Sequence, residues 1–455
     1  MKRFWLILLS MGLVIVFSVS VFAVDVKVSG SFYVAGMYLN KTSVADTDQN
    51  PSTAFFYQRL RVGTDFIVSP GLKLVTRFDA MERIWGGTRY SEAEPPISAV
   101  DSAGSRSENE NIAFDWAYIN YVSPIGTFEV GYMNYGATGT IFGNGNYPAG
   151  RIKYYSPLIN NSININADFT KVVDKSYSAV NSSASWTDAD KDAYALEGVY
   201  SWKDGKAAMK VIYYRYADKR PPTDNYNKKY FLFTPWTMFK IGPVNVQAEL
   251  NWATGDSKDY DTTATDVKID QMSGWIDATA TFAPVYVGAT VAYVSGDDPN
   301  TTDREEGGTL TGGFEWNPCL IMFNYYDVSN WVGPVYGYDK TAPKSLGASG
   351  TGMVTGPMSN AWFLQGRVGV KPIPALDAML SVSYAMADKK PRDFTGGTYG
   401  TEVDLTGVYK ITDNLSYMLG FGYLFTGDYF KGKDAKGVNK VVDDFVIMNK
   451  LTLTF

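Results

Sequence analysis

Charged side chains recur at alternate positions within apolar stretches, and this spacing is the first feature of the sequence that could do chemistry. In the stretch FFYQRLRVGTDF, Arg59, Arg61 and Asp65 share one face of an extended chain, opposite Leu60 and Val62. Later stretches repeat the pattern and add these candidates: Lys73, Arg77 and Asp79; Asp115 and Glu129, opposite the rings of Trp116 and Phe128; and Arg151 and Lys153. Such rows of fixed charge create a field that acts on small solutes.

The absence of histidine from all 455 residues removes many other kinds of chemistry. It excludes histidine metal sites, covalent haem attachment through a C-x-x-C-H motif, and nucleophiles activated by histidine. Because Cys319 is the only cysteine, no disulfide can form within the chain. We therefore expect no bound metal, no cofactor and no enzymatic activity.

Apolar and polar residues alternate with a period of two along most of the chain, which predicts strands with one apolar face. Between Val244 and Trp252, for example, Val, Ala, Leu and Trp alternate with Asn, Gln and Glu. Many such runs reach about 9–12 residues, the length that a tilted strand needs to cross a bilayer. The mean hydropathy of −0.15 fits a barrel whose outer and inner residues alternate.

Short turns alternate with long polar connections, which predicts a hairpin barrel with short turns at one end. The nine predicted short turns lie at Ser69–Gly71, Ser123–Gly126, Ser156–Leu158, Lys203–Lys206, Gly242–Pro243, Ala283–Pro284, Asn317–Pro318, Pro372–Pro374 and Thr412–Asn414. They define 20 strands including the terminal ones, or 18 if one weak pair merges. We predict an all-β, antiparallel, up-and-down transmembrane barrel of about 18–20 strands, with short periplasmic turns and long extracellular loops.

The N-terminus has the features of an export signal. Lys2 and Arg3 precede an apolar run that ends near Phe17, and small residues lead to Ala23. An uncleaved membrane anchor is the alternative. We predict a cleaved secretory signal at residues 1–23 and a single barrel domain at residues 24–455.

The chain ends in LTLTF, and with the features above this ending makes the sequence resemble Gram-negative outer-membrane porins. Porins typically end in phenylalanine preceded by alternating apolar residues, and Leu451, Leu453 and Phe455 fit that pattern. The resemblance implies that these three residues form the signal read by the barrel-assembly machinery. They would face lipid in a final strand that closes the barrel against the first.

The resemblance also implies a location in the outer membrane, contact with lipid and lipopolysaccharide, a homotrimer and passage of small hydrophilic solutes. It implies no nucleic-acid partner. In general porins the loop after the fifth strand folds inward, and here that loop would be residues 136–150, which carry no acidic residue. Clustered acids in the long loops, such as Asp256, Asp259 and Asp261, are either solvated or bind divalent cations.

The charged candidates must face the barrel interior, because Arg or Lys on the lipid face at mid-bilayer costs about 2–4 kcal/mol. One hypothesis is a basic ladder with acids nearby, which sets a transverse field for solutes. The alternative is a solvated wall with no special role.

Three functions remain open at this stage. Passive diffusion of small hydrophilic solutes is the leading one. A solute-specific channel, including one that prefers anions, is the second, and a non-conducting structural or adhesive barrel is the third.

Overall fold

The computed structural model describes residues 24–48, 50–86, 112–174, 189–217, 226–308, 314–339 and 353–455. The predicted signal at residues 1–23 lies outside them. The strands are β1 (Asp25–Leu39), β2 (Thr53–Ser69), β3 (Leu72–Ile84), β4 (Ile112–Ser123), β5 (Gly126–Asn134), β6 (Pro148–Tyr155), β7 (Ile163–Val173), β8 (Lys191–Trp202), β9 (Gly205–Tyr216), β10 (Tyr226–Ile241), β11 (Val244–Tyr260), β12 (Val267–Phe282), β13 (Val285–Val294), β14 (Arg304–Glu305), β15 (Ala361–Ile373), β16 (Leu376–Ala387), β17 (Thr398–Lys410), β18 (Leu415–Thr426) and β19 (Asp444–Thr454).

Eighteen of the described strands form one closed antiparallel barrel, in which each strand pairs with its neighbours in the chain. The two-residue β14 is a loop strand that pairs in parallel with β12, so β13 pairs directly with β15. The barrel closes where β1 meets β19, from Ser31 opposite Thr454 to Leu39 opposite Val446. Closure leaves no unpaired sheet edge in the membrane. The predicted fold is thus confirmed.

The final strand has the predicted orientation. Leu451, Leu453 and Phe455 are 40%, 39% and 49% exposed on the outer surface, whereas Val446 and Met448 are buried inside. The backbone of the last residue is paired with β1: the Phe455 amide donates to the Gly30 carbonyl, and the Gly30 amide donates to the Phe455 carbonyl.

The strand count of 20 was wrong at one predicted hairpin, and 18 is correct. The Asn317–Pro318 turn does not join two wall strands, because residues 314–336 fold into the barrel. Their apolar residues are buried against the inner wall: Ile321 is 0% and Met322 1% exposed. Residues 314–336 form the second inner segment. It includes a π-helical turn (Tyr325–Ser329) and a short α-helix (Asn330–Val332).

A first inner segment, residues 135–147, connects β5 and β6. Its Phe142 stacks on Trp275 of β12 and meets the edge of Trp316, so it reaches across the barrel to the second inner segment. The predicted inward loop at 136–150 is therefore present, although residues 148–150 belong to β6.

Glycines on the inner face of β18 give the second inner segment room to approach the wall. A Cβ atom on Gly422 would lie 2.7 Å from Oδ1 of Asp404 and 3.0 Å from Leu320, and one on Gly420 would also meet Leu320. In the described part of the chain, no helix has the length and apolar character needed to cross a membrane.

Candidate channel-lining site

All ten predicted charged residues lie on the inner face of β2 to β6, and they form ion pairs between neighbouring strands. Arg61 binds Asp79 through two hydrogen bonds, from Nε to Oδ1 and from Nη2 to Oδ2, each 2.7 Å long. The pairing register places these two residues directly opposite each other. Lys73 donates to Asp65 over 2.6 Å. The bidentate geometry of the Arg61–Asp79 pair fixes the position of the Arg61 guanidinium.

Arg77 occupies the centre of the row. Its guanidinium donates to both carboxylate oxygens of Asp115, and it also donates to Oδ1 of Asn146 on the first inner segment over 2.7 Å. Asn146 in turn donates to Asp115 over 3.2 Å. The ion-paired wall is therefore bonded directly to the first inner segment.

The predicted opposition of Asp115 and Trp116 was wrong. The register of β3 against β4 shifts between Arg77 and Phe78, and this bulge turns both Asp115 and Trp116 toward the interior. The Arg77 guanidinium lies 3.5 Å from the centre of the Trp116 ring, a cation–π contact. Glu129 and Phe128 follow the prediction, since Phe128 packs on Tyr154 while Glu129 pairs with Lys153.

The row continues onto β7 and β9 through two residues that sequence reasoning missed. Arg151 pairs with Asp168 over 2.8 Å, and Lys210 lies 3.9 Å from the same carboxylate. Asp168 alternates with apolar Ala167 and Phe169, so its inward position could have been read from the sequence. The Asp168 carboxylate is thus shared by Arg151 of the neighbouring strand and Lys210 of β9.

We call this row, from Arg59 on β2 to Lys210 on β9, the charged strip. Like Lys210, Arg59 is loosely paired: it lies 3.9 Å from Glu82, another residue that the sequence did not single out. Its guanidinium also lies 5.2 Å from the Tyr33 ring. Each cation of the strip thus has an acidic partner, so the strip is an array of alternating charges rather than a purely basic ladder.

The second inner segment faces the same strip. Burial raises the pKa of Tyr326, while Arg59, Arg61 and Arg77 act in the opposite direction, which shows that the Tyr326 hydroxyl lies near these cations. Asp327 accepts hydrogen bonds from Tyr57 of β2 and Lys450 of β19, each 2.7 Å long. The charged strip is therefore bounded by both inner segments.

Glu402 of β17 anchors the middle of the second inner segment. Its two carboxylate oxygens accept hydrogen bonds from the backbone amides of Ile321 and Met322, both 2.7 Å long. Glu402 is fully buried, and the adjacent Asp404 is 2% exposed. A buried carboxylate whose two oxygens both accept backbone donors holds that backbone firmly.

One group of described residues has side chains close enough to hold a metal ion: Cys319, Glu402 and Asp404, whose ligand atoms lie within 4.8 Å of one another. Both oxygens of Glu402 are already bound to the backbone, so the group serves as an anchor. In the loops, Asp256 pairs with Lys268 and Asp259 with Lys229. The prediction of no metal stays a prediction.

The barrel is similar to solved outer-membrane channels at low sequence identity. It matches OccK1 (OpdK) of Pseudomonas aeruginosa with a TM-score of 0.51 and 11% identity, over 94% of this chain and 99% of that one. It matches OccAB4 of Acinetobacter baumannii with a TM-score of 0.47 and 11% identity, over 96% and 100% of the two chains. The match to DcaP of Acinetobacter baumannii has a TM-score of 0.43 and 12% identity, over 96% and 99%.

No protein-family model and no curated protein matches this sequence. The resemblance to outer-membrane porins predicted from the sequence is confirmed as a resemblance of fold.

Proposed function

We propose that this chain is an outer-membrane channel through which small hydrophilic solutes diffuse passively. The observation that carries the proposal is the charged strip, which lines the inside of a closed barrel next to two segments that narrow the interior. Charged side chains are costly to bury without a partner or solvent, and here they line the inner wall of the barrel. Solved outer-membrane channels share this fold, which supports the proposal.

The strip sets the path and the field for the solute. Arg61, Arg77 and Arg151 each pair with a carboxylate on the next strand of the barrel. Cations and anions therefore alternate around the wall. Such an array orients a polar solute across the channel without holding it by a large net charge. A solute-specific channel is the second candidate, and the narrowing by two inner segments favours it over a wide general pore.

Absence of catalysis is part of the same proposal. Histidine-dependent mechanisms are excluded by composition, and we expect the barrel to have no enzymatic activity.

The remaining partners follow from the proposed location. We infer that residues 1–23 are removed on export and that Leu451, Leu453 and Phe455 are read by the barrel-assembly machinery. Lipid and lipopolysaccharide surround the apolar outer face, and three copies assemble as a trimer.

Deletion of Phe455 should reduce the amount of protein inserted in the outer membrane, measured by heat-modifiable gel migration. Undiminished insertion would place the signal elsewhere.

Single-channel recording in planar bilayers under a salt gradient tests the proposed function. We expect ohmic current steps from the purified protein. A variant with Arg59→Gln, Arg61→Gln and Arg77→Gln should show a reversal potential shifted toward cation preference, because three fixed cations leave their carboxylate partners behind.

The matched control removes the same number of charges from exposed positions: Lys268→Gln, Lys371→Gln and Lys389→Gln, whose side chains are 61%, 55% and 43% exposed. Its reversal potential should stay near that of the unmodified protein. Equal shifts in the two triple variants would show that the strip has no special effect, and an absence of current would contradict the channel itself.

A further inference from the structure

A cavity of about 350 Å³ lies between the first inner segment and the barrel wall. Its lining comes from Tyr135 to Tyr147 of that segment and from the inner face of β8 to β12. An engineered cavity of about 150 Å³ is enough to hold benzene. This space is therefore large enough for a substituted six-membered ring.

The barrel wall at this cavity carries an apolar patch, and the polar residues Lys191, Lys228, Thr234, Glu249, Asn251 and Gln271 line the rest of it. Ile212, Leu232 and Ile269 are 7%, 4% and 4% exposed and pack together with Ala193 and Ala253. Inner faces of water-filled barrels are normally polar. An apolar patch next to an open space favours an occupant with an apolar body.

Tyrosine rings line the cavity from both sides. Tyr214 and Tyr230 stack on the wall with their centres 4.8 Å apart, and Tyr135 and Tyr147 pack against each other on the inner segment at 5.7 Å. Ring faces and edges of this kind pair favourably with another aromatic ring. Their hydroxyl groups add hydrogen-bonding capacity around it.

The polar residues of the cavity form a chain of hydrogen bonds, and one buried donor has no acceptor. Thr234 donates to Asn251, Asn251 donates to Glu249, and Glu249 accepts from the Thr140 amide. Gln271, which also lines the cavity and is 1% exposed, has a buried Nε2 with no hydrogen-bond partner. A buried amide donor without an acceptor is costly, so an acceptor atom supplied by a ligand would be favoured here.

We propose that this cavity is a binding site for a small, uncharged aromatic alcohol of the phenol class. Its ring lies between the two tyrosine pairs, its alkyl substituent contacts Ile212, Leu232 and Ile269, and its oxygen accepts from Gln271. Lys210, at the end of the charged strip, donates to Thr138 beside this cavity, so the site adjoins the proposed path for hydrophilic solutes. Binding here does not depend on conduction.

Isothermal titration of the purified, detergent-solubilised barrel with 4-ethylphenol tests the proposal, with titration into empty micelles as the blank. We expect saturable binding of 4-ethylphenol, and about three- to tenfold weaker binding of ethylbenzene, which lacks the oxygen that accepts from Gln271. Leu232→Trp fills the cavity and should abolish binding. Gln271→Leu should weaken it about three- to tenfold through loss of one hydrogen bond.

Leu250→Trp is the matched control, since Leu250 lies on the outer face of the neighbouring strand and is 41% exposed. It should bind 4-ethylphenol like the unmodified barrel. Ile269→Phe is a milder filling variant, and heat-modifiable migration verifies that each variant is folded. The site would be overturned if the unmodified barrel showed no saturable binding above the micelle blank. It would also be overturned if both filling variants bound 4-ethylphenol as tightly as the unmodified barrel. A barrel that binds 4-ethylphenol but carries no current would contradict only the proposed function.

Discussion

The two inner segments enter the same barrel but are held in different ways. The first, residues 135–147, carries no charged side chain and contacts the wall through hydrogen bonds, of Thr140 to Glu249 and of Asn146 to Arg77, and through one buried ring, Phe142 on Trp275. The second, residues 314–336, buries an apolar core that includes Ile321, Met322 and Phe323.

The difference indicates a division of roles. A thin, hydrogen-bonded segment contacts both the charged strip and the tyrosine-lined cavity without filling either. A segment with a dry core occupies volume and removes part of the interior from water. We expect the second segment to determine how wide the channel is, and the first to determine what each side of it recognises.

Removal of the Glu402 anchor should have the largest effect on this contrast. Glu402→Ala leaves the buried amides of Ile321 and Met322 without acceptors, and each such loss costs about 1–3 kcal/mol. The second segment should open at least about thirtyfold more often, since 1.4 kcal/mol corresponds to tenfold. The rate at which a maleimide labels Cys319, the only cysteine, measures this opening.

In the unmodified barrel Cys319 should resist labelling, because it is 4% exposed and burial raises the pKa of its thiol. Glu402→Gln, which keeps one acceptor oxygen, should give an intermediate rate. Glu305→Ala, in the loop strand β14, is the control and should leave the rate unchanged. Rapid labelling of the unmodified protein would contradict a firmly anchored segment.

Loss of the Phe142 ring should have the next largest effect, mainly on the first segment. Phe142→Ala removes the contact with Trp275 and Trp316, and buried Phe→Ala changes cost about 3–5 kcal/mol. Single-channel current noise should increase, whereas Cys319 labelling should rise little. Phe421→Ala, at a lipid-facing ring that is 43% exposed, should leave the noise unchanged. Equal noise in both variants would mean that the ring does not hold the segment.

A change of one hydroxyl should have the smallest effect. Thr140→Val keeps the shape but removes the acceptor for the Trp275 indole and one donor to Glu249, at a cost of about 1–2 kcal/mol. The affinity for 4-ethylphenol should fall severalfold if the segment forms one wall of that cavity, with the reversal potential unchanged. Thr262→Val in an exposed loop is the control. An affinity identical to that of the unmodified barrel would argue that Thr140 does not position the segment.

The barrel wall could be predicted from the sequence because its pattern is local. Period-two alternation and turn residues follow from the geometry of each strand and from the lipid outside it. Eight of the nine predicted turns join wall strands, and the ninth, Asn317–Pro318, failed because an apolar run gives no indication of whether lipid or the barrel interior covers it. The inward positions of the ten charged candidates follow from the same alternation, apart from the Asp115–Trp116 bulge.

The sequence by itself determined a closed, lipid-embedded barrel without histidine chemistry, since alternation and composition are properties of single strands. Only the tertiary structure decided which carboxylate meets each cation, as with Arg151 and Asp168, because the partners come from different strands whose register depends on the whole sheet. It also decided that residues 314–336 lie inside. Packing against β1, β2 and β15 to β19 selects that position, and those contacts join residues far apart in the chain.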